Sequence, residues 1–257
     1  MKWHVTRSAA ALAVVVAWAA GALPQTTDEV TARVNAAQSV DDIVARNLAA
    51  KGGVDKLKSV QSLRQTSRMT MQGMEAGMVI LSKRPNMLRQ EITIGGQKVI
   101  NGFDGQAAWI VNPLVSPGGQ PIRLTGPEAE VIRQQSDFDP PLMDYKAKGY
   151  SIELVGTETD TGKKVYHLRL TQPNRTTTKP QVQHAYLDAA TGLETKLVTE
   201  ADGLRLEQEM LDWRSIEGVM VPFHIRMLSN GVVQSEIRVE KVEFNVTIDN
   251  SVFMIPK

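Results

Sequence analysis

From residue 61 to about residue 244 the hydrophobic period of the chain is two, broken only in the middle. In the first run Leu63, Ser67, Met69 and Met71 fall on one face, and Arg64, Thr66, Arg68 and Thr70 on the other. Successive side chains leave a pleated strand on opposite sides, so this alternation marks half-buried strands. Runs at 76–83, 87–94, 98–103 and 107–111 follow, separated by Gly73, Pro85-Asn86, Gly95-Gly96 and Asp104-Gly105. Links this short and this rich in turn formers predict hairpins, and Asp104-Gly105 is a candidate type I′ turn. A second series lies at 151–157, 164–171, 182–187, 193–199, 204–213, 219–227 and 234–244. No repeat of 20–50 residues and no linker divides the two series. The expected fold is mainly β with some helix (α+β): about 11–12 antiparallel strands in one curved sheet wrapped around helices.

Two places break the rhythm. Residues 39–57 have helical spacing at Val40, Ile43, Val44 and Leu48, with Ser39 as a candidate N-cap and Asp41 and Asp42 in the first turn. Gly52-Gly53 interrupts that helix near its end. In the middle, 112–125 reads as a Pro- and Gly-rich loop, and Gly126-Pro127 opens a helix to about Gln135. Asp139-Pro140-Pro141 stops it. The carboxylates of Asp137 and Asp139 read as polar residues at the helix end rather than as a hydrolytic pair.

The N-terminus has a different character. Lys2 and Arg7 precede an apolar run from Ala9 to Ala22 that ends in small residues of A-x-A form. That is a cleavable secretory signal peptide, and the run is short of the ~20 residues a membrane span needs. The expected layout is a signal peptide at 1–22, a flexible segment at 23–38 and one domain at 39–257. An exported chain with no cysteine suits a bacterial periplasm, and without a cysteine it cannot be acylated as a lipoprotein. The absence of cysteine also removes disulfides, thiol catalysis and thiolate metal sites. A net charge of +1 excludes a strongly basic nucleic-acid binder. No nucleophile elbow, P-loop, dinucleotide fingerprint or zinc spacing is present. His167, His184 and His224 sit far apart in sequence, each inside a strand. The expectation is a protein that is not an enzyme and carries no metal and no cofactor.

Two neighbouring stretches carry more specific information. Lys83-Arg84-Pro85-Asn86-Met87-Leu88-Arg89 is followed by Asp104-Gly105-Gln106-Ala107-Ala108-Trp109 and Asn112-Pro113. The pair K-R-P-N-x-x-R and D-G-x-x-x-W-x-x-x-P resembles the periplasmic outer-membrane lipoprotein-sorting family, the LolA-like carriers. The closing Ser251-Val252-Phe253-Met254-Ile255-Pro256 is similar to the short F-x-x-P segment of that family.

The resemblance implies an incomplete β-barrel whose hydrophobic concave face is closed by lid or plug helices. It implies a monomeric carrier of lipoprotein acyl chains or envelope lipid, loaded by an inner-membrane donor complex and unloaded to an outer-membrane acceptor. Arg84 matches the arginine that holds helices over the cavity mouth and governs cargo release. The cavity would be lined by Met69, Met71, Met78, Ile80, Leu88, Ile92 and Trp109, the alternative for each being an ordinary core position. A methionine-rich aliphatic lining can repack around different chains. Leu88, Ala108 and Ile110 stand where the family carries aromatics, which points to a different ligand such as a phospholipid, glycolipid or polyprenyl lipid. The alternative function is a periplasmic sensory or regulatory binding domain of the same fold that recognises a membrane protein partner.

Overall fold

The computed structural model describes residues 39–113, 116–172, 181–201 and 204–256; the signal-peptide and flexible-segment expectations lie outside them. The compact unit begins at Ser39, where a capping box starts helix α1 (Val40–Ala50). Ser39 Oγ accepts from the Asp42 amide at 3.1 Å and Asp42 Oδ2 accepts from the Ser39 amide at 3.3 Å, so two orphan donors of the first turn are satisfied. Gly52 and Gly53 break the helix, and α2 (Val54–Ser59) follows as a short second piece. At Gly52 the break is obligatory: φ is 121° and a Cβ would stand 2.3 Å from the Gly218 carbonyl oxygen.

Thirteen strands then form a single antiparallel sheet. They are β1 (Ser62–Met71), β2 (Met74–Lys83), β3 (Met87–Ile94), β4 (Gln97–Phe103), β5 (Ala108–Val111) and β6 (Ile122–Arg123), then β7 (Ser151–Asp160), β8 (Lys163–Gln172), β9 (Gln181–Asp188), β10 (Glu194–Ala201), β11 (Leu204–Ile216), β12 (Val219–Ser229) and β13 (Val232–Phe244). The spatial order is β6-β5-β4-β3-β2-β1-β13-β12-β11-β10-β9-β8-β7. Two meanders therefore meet where the first strand pairs with the last. The outer edges, β6 and β7, do not pair, so the barrel is incomplete. Helix α3 (Gly126–Gln135) lies in the connection between those two edges, as Gly126-Pro127 led us to expect.

The strand beyond the expected twelve is β6, inside the stretch read as a loop. Two residues are too few to show a period, and pairing with β5 (Ile110 opposite Ile122) defines it. The Asp104-Gly105 turn also differs from expectation. Only Gly105 has positive φ, whereas a type I′ turn needs two such residues. Asp104 Oδ1 instead accepts from the Gln106 and Ala107 amides at 2.8 and 2.7 Å, an Asx turn closing a four-residue loop.

The two helices divide the inner side of the sheet between them. On one half Ile43, Val44 and Leu48 of α1 pack with Leu142 and Met143 on Leu168, Leu170, Ala185 and Leu187. On the other half Ile132 of α3 packs on Leu88, Phe103 and Ala108. Between them, on β1, β12 and β13, Phe223, Val239 and Val242 form a further buried cluster with Leu63, Val221 and Phe244.

Candidate functional site

Strand register assigns each side chain to a face. Met71 pairs with Met74, Met69 with Ala76 and Ser67 with Met78; Met78 in turn pairs with Ile92, Ile80 with Gln90 and Ser82 with Leu88. Residues directly opposite share a face, as do residues two apart. Met69, Met71, Met78, Ile80, Leu88 and Ile92 thus share one face. It is the concave one, because Leu88 and Ile80 pack against α3. Met69, Met78 and Leu88 are buried, while Met71, Ile80 and Ile92 are half-buried. The face continues through Ile237 on β13 and Ile225 on β12.

Trp109 departs from its expected place. It pairs with Gly102 on the face opposite Ala108, and is fully buried on the outside of the sheet. Its Nε1 donates to the Phe253 carbonyl at 2.8 Å, and a Cβ on Gly102 would stand 2.2 Å from its ring. The C-terminal segment therefore crosses the outer face, and Trp109 anchors it there instead of lining the cavity. Period-two alternation places Trp109 opposite Ala108 without saying which of the two faces inward.

Arg84 sits at the mouth, where β2 turns into β3. Its Nε donates to the Val60 carbonyl at 2.8 Å and Nη2 to the Leu57 carbonyl at 3.2 Å. The guanidinium also grips Asp139 through both oxygens, at 2.8 and 2.6 Å, and lies 4.7 Å from the centre of the Phe138 ring. One side chain thus ties the end of α2, the start of β1 and the segment after α3. That segment is held a second time: Lys148 Nζ donates to the carbonyls of Asp139 and Pro140 at 2.9 and 3.2 Å and pairs with Asp137 at 3.1 Å. Beneath it lies a cavity of about 270 Å³ walled by Leu57, Val60, Leu63, Phe138, Val221 and Phe244.

Asp139, Phe138 and Lys148 are site residues that sequence reasoning did not select. A carboxylate two residues from another, beside two prolines, gave the only signal; what it lacked was Arg84 as a partner 55 residues away. A second cavity of about 440 Å³ lies farther along the concave face, between α3 and strands β8 to β12.

Two of the three histidines meet. His167 Nε2 is 2.7 Å from His184 Nδ1, and His167 Nδ1 is 2.5 Å from Glu158 Oε1. Their face is the outer one, since His167 pairs with Tyr186 while the adjacent Leu168 and Ala185 pack under α1. The cluster is therefore not at the mouth. Burial and the neighbouring His167 hold His184 below its ordinary pKa. His224 lies elsewhere, 3.2 Å from Glu236. Among the described residues no group of three or more His, Cys, Asp or Glu is arranged to hold a metal ion.

No protein-family model matches the sequence, and no curated protein matches it. Solved structures do match. A DUF1329 family protein from Desulfovibrio piger superposes with a TM-score of 0.58 at 13% identity, covering 85% of this chain and 98% of that one. A putative outer membrane lipoprotein-sorting protein domain from Vibrio parahaemolyticus gives 0.58 at 12%, covering 82% and 94%. A LolA superfamily protein from Nitrosomonas europaea gives 0.54 at 19%, covering 85% and 98%. With the open thirteen-strand sheet, the inner helices and the arginine at the mouth, the chain has the fold of the LolA-like lipoprotein-sorting proteins.

Proposed function

We propose that the protein is a periplasmic carrier that holds the acyl chains of a lipoprotein or lipid on its concave face and ferries them toward the outer membrane. One observation carries the reading: on the concave face α3 covers Leu88 and Ile80, while Met71 and Ile92 of the same aliphatic and methionine row stay half-buried beside Met69 and Met78. Flexible apolar chains need such a surface, and a site of this kind is concave, mostly apolar and largely pre-formed. Thioether side chains there can adapt to chains of different length. The segment pinned by Arg84 and Lys148 would be the lid, and its release would open the mouth. The role requires no chemical step, so the protein acts without catalysis, and a donor at the inner membrane and an acceptor at the outer would load and unload it. The likeness in fold to the outer membrane lipoprotein-sorting protein domain of Vibrio parahaemolyticus is consistent with this.

Fluorescent acyl-probe binding tests the proposal. Met71→Glu puts a charge on the concave face, whereas Thr70→Glu puts the same charge on the outer face of the same strand. An unpaired charge facing an acyl chain opposes its burial, so Met71→Glu should weaken probe binding by about tenfold or more, or roughly 1.4 kcal/mol. Thr70→Glu should leave it unchanged. Equal binding by the two folded variants would contradict the assignment of the face.

A further inference from the structure

The second cavity on the concave face differs in chemistry from the first. Gln134 of α3, Gln172, Gln181, Gln183 and Gln208 of three strands, and Tyr150 converge on it. Register confirms that the strand glutamines face inward: Gln183 pairs with Leu170, Gln172 with Gln181, and Gln208 with Leu197, and both Leu170 and Leu197 belong to the α1 core. Gln134 Nε2 donates to Gln181 Oε1 at 2.8 Å and to Glu130 Oε1 at 3.0 Å. Gln172, Gln183 and Gln208 make no side-chain hydrogen bond among the described residues, although each is half-buried. None of these amides is sealed from solvent, and three of them around one cavity offer both donors and acceptors to a polar ligand.

Among the described residues the nearby cations are committed. Arg84 holds Asp139, Arg133 holds Glu130 at 2.6 Å and Lys148 holds Asp137. Glu207, the carboxylate at the margin, faces the other way by alternation and is paired with Arg205 at 3.2 Å. Among the described residues a phosphate would meet no free charge here. An amide both donates and accepts, as a sugar hydroxyl does. Tyr150 adds a half-buried ring on which a sugar can lie, and Leu206 and Met227 continue the wall as an apolar surface for the attached chains.

We infer that the convergence of Gln134, Gln172, Gln181, Gln183 and Gln208 with Tyr150 on the concave face is a head-group subsite for an uncharged, hydroxyl-rich lipid, a glycolipid. The assignment rests on the carrier reading and names the cargo class for it.

Competition against a bound fluorescent acyl probe tests it, using the full chain. The competitors are a glucosyl diacylglycerol, a phosphatidylglycerol with the same acyl chains and a diacylated cysteinyl peptide. The glycolipid should displace the probe at a concentration at least about tenfold lower than either of the others. Gln183→Leu/Gln208→Leu should erase that preference while the acyl probe itself still binds; the single Gln208→Met variant serves if the double variant does not fold. Equal or better displacement by phosphatidylglycerol or by the lipopeptide overturns the assignment, as does a preference that survives the substitutions. If the probe does not bind the native protein at all, the carrier reading falls and takes this assignment with it.

Discussion

Through its side chain Arg84 makes four hydrogen bonds, two to the carbonyls of Leu57 and Val60 and two to Asp139, and it keeps little contact with water. Its side chain and that of Asp139 are 19% and 20% exposed, so the pair is not a screened surface contact. A charge-assisted, bidentate pair in this setting should show a coupling of roughly 1.5–3 kcal/mol in a double-mutant cycle of Arg84→Leu and Asp139→Asn, read by chemical denaturation. If the lid reading holds, Arg84→Leu should also impair transfer of bound lipid to an acceptor while the protein stays folded. Normal transfer by that variant would remove Arg84 from the release step.

His184 gives a prediction in pH. Its folded pKa lies below the ordinary value of 6.5, first because burial disfavours the imidazolium and then because His167 stands beside it. The unfolded chain therefore binds the proton more readily, and stability falls as pH drops below about 6.5. His184→Gln should flatten that part of the stability profile; an unchanged slope would show that the histidine contact does not control it.

At the scale of elements, alternation and turn chemistry account for nearly all of the strands. Pro85-Asn86, Glu217-Gly218 and Asn230-Gly231 each stand where two strands reverse, because those residues tolerate or favour turn geometry. The Ser39 N-cap of α1 was legible for the same local reason. Non-local pairing was not: β6 exists only as the partner of β5, and Asp139 matters only through Arg84. Trp109 shows a third kind of limit. Parity separates the two faces of β5 but does not say which is inside. That is decided by α3 covering Ala108 and the C-terminal segment covering Trp109. The outer anchor can be tested directly. Gly102→Ala would drive a methyl group into the Trp109 ring and should cost roughly 1–3 kcal/mol of stability. Phe253→Ala, at a position with no exposed surface, should cost about 3–5 kcal/mol. Thermal melts that leave both variants at native stability would show that the closing segment does not hold the sheet.

On the scale of the whole molecule, the sheet is broad but its two ends never meet, and the helices fill only its flanks. The concave surface is aliphatic near Met69 and Met71 and amide-rich beneath α3. A curved sheet over helices was readable from the sequence; how far the chain covers its own concave face was not, since alternation marks the face of each Met and Ile but not what packs on it. The lid, the apolar face and the amide-lined cavity have a single common explanation in a bound lipid. Native mass spectrometry of the protein purified from the cell envelope, followed by solvent extraction, tests that explanation most directly. The account predicts a bound mass of acyl-lipid size that extraction removes. A clean apo mass, together with failure to take up a fluorescent acyl probe, would contradict it.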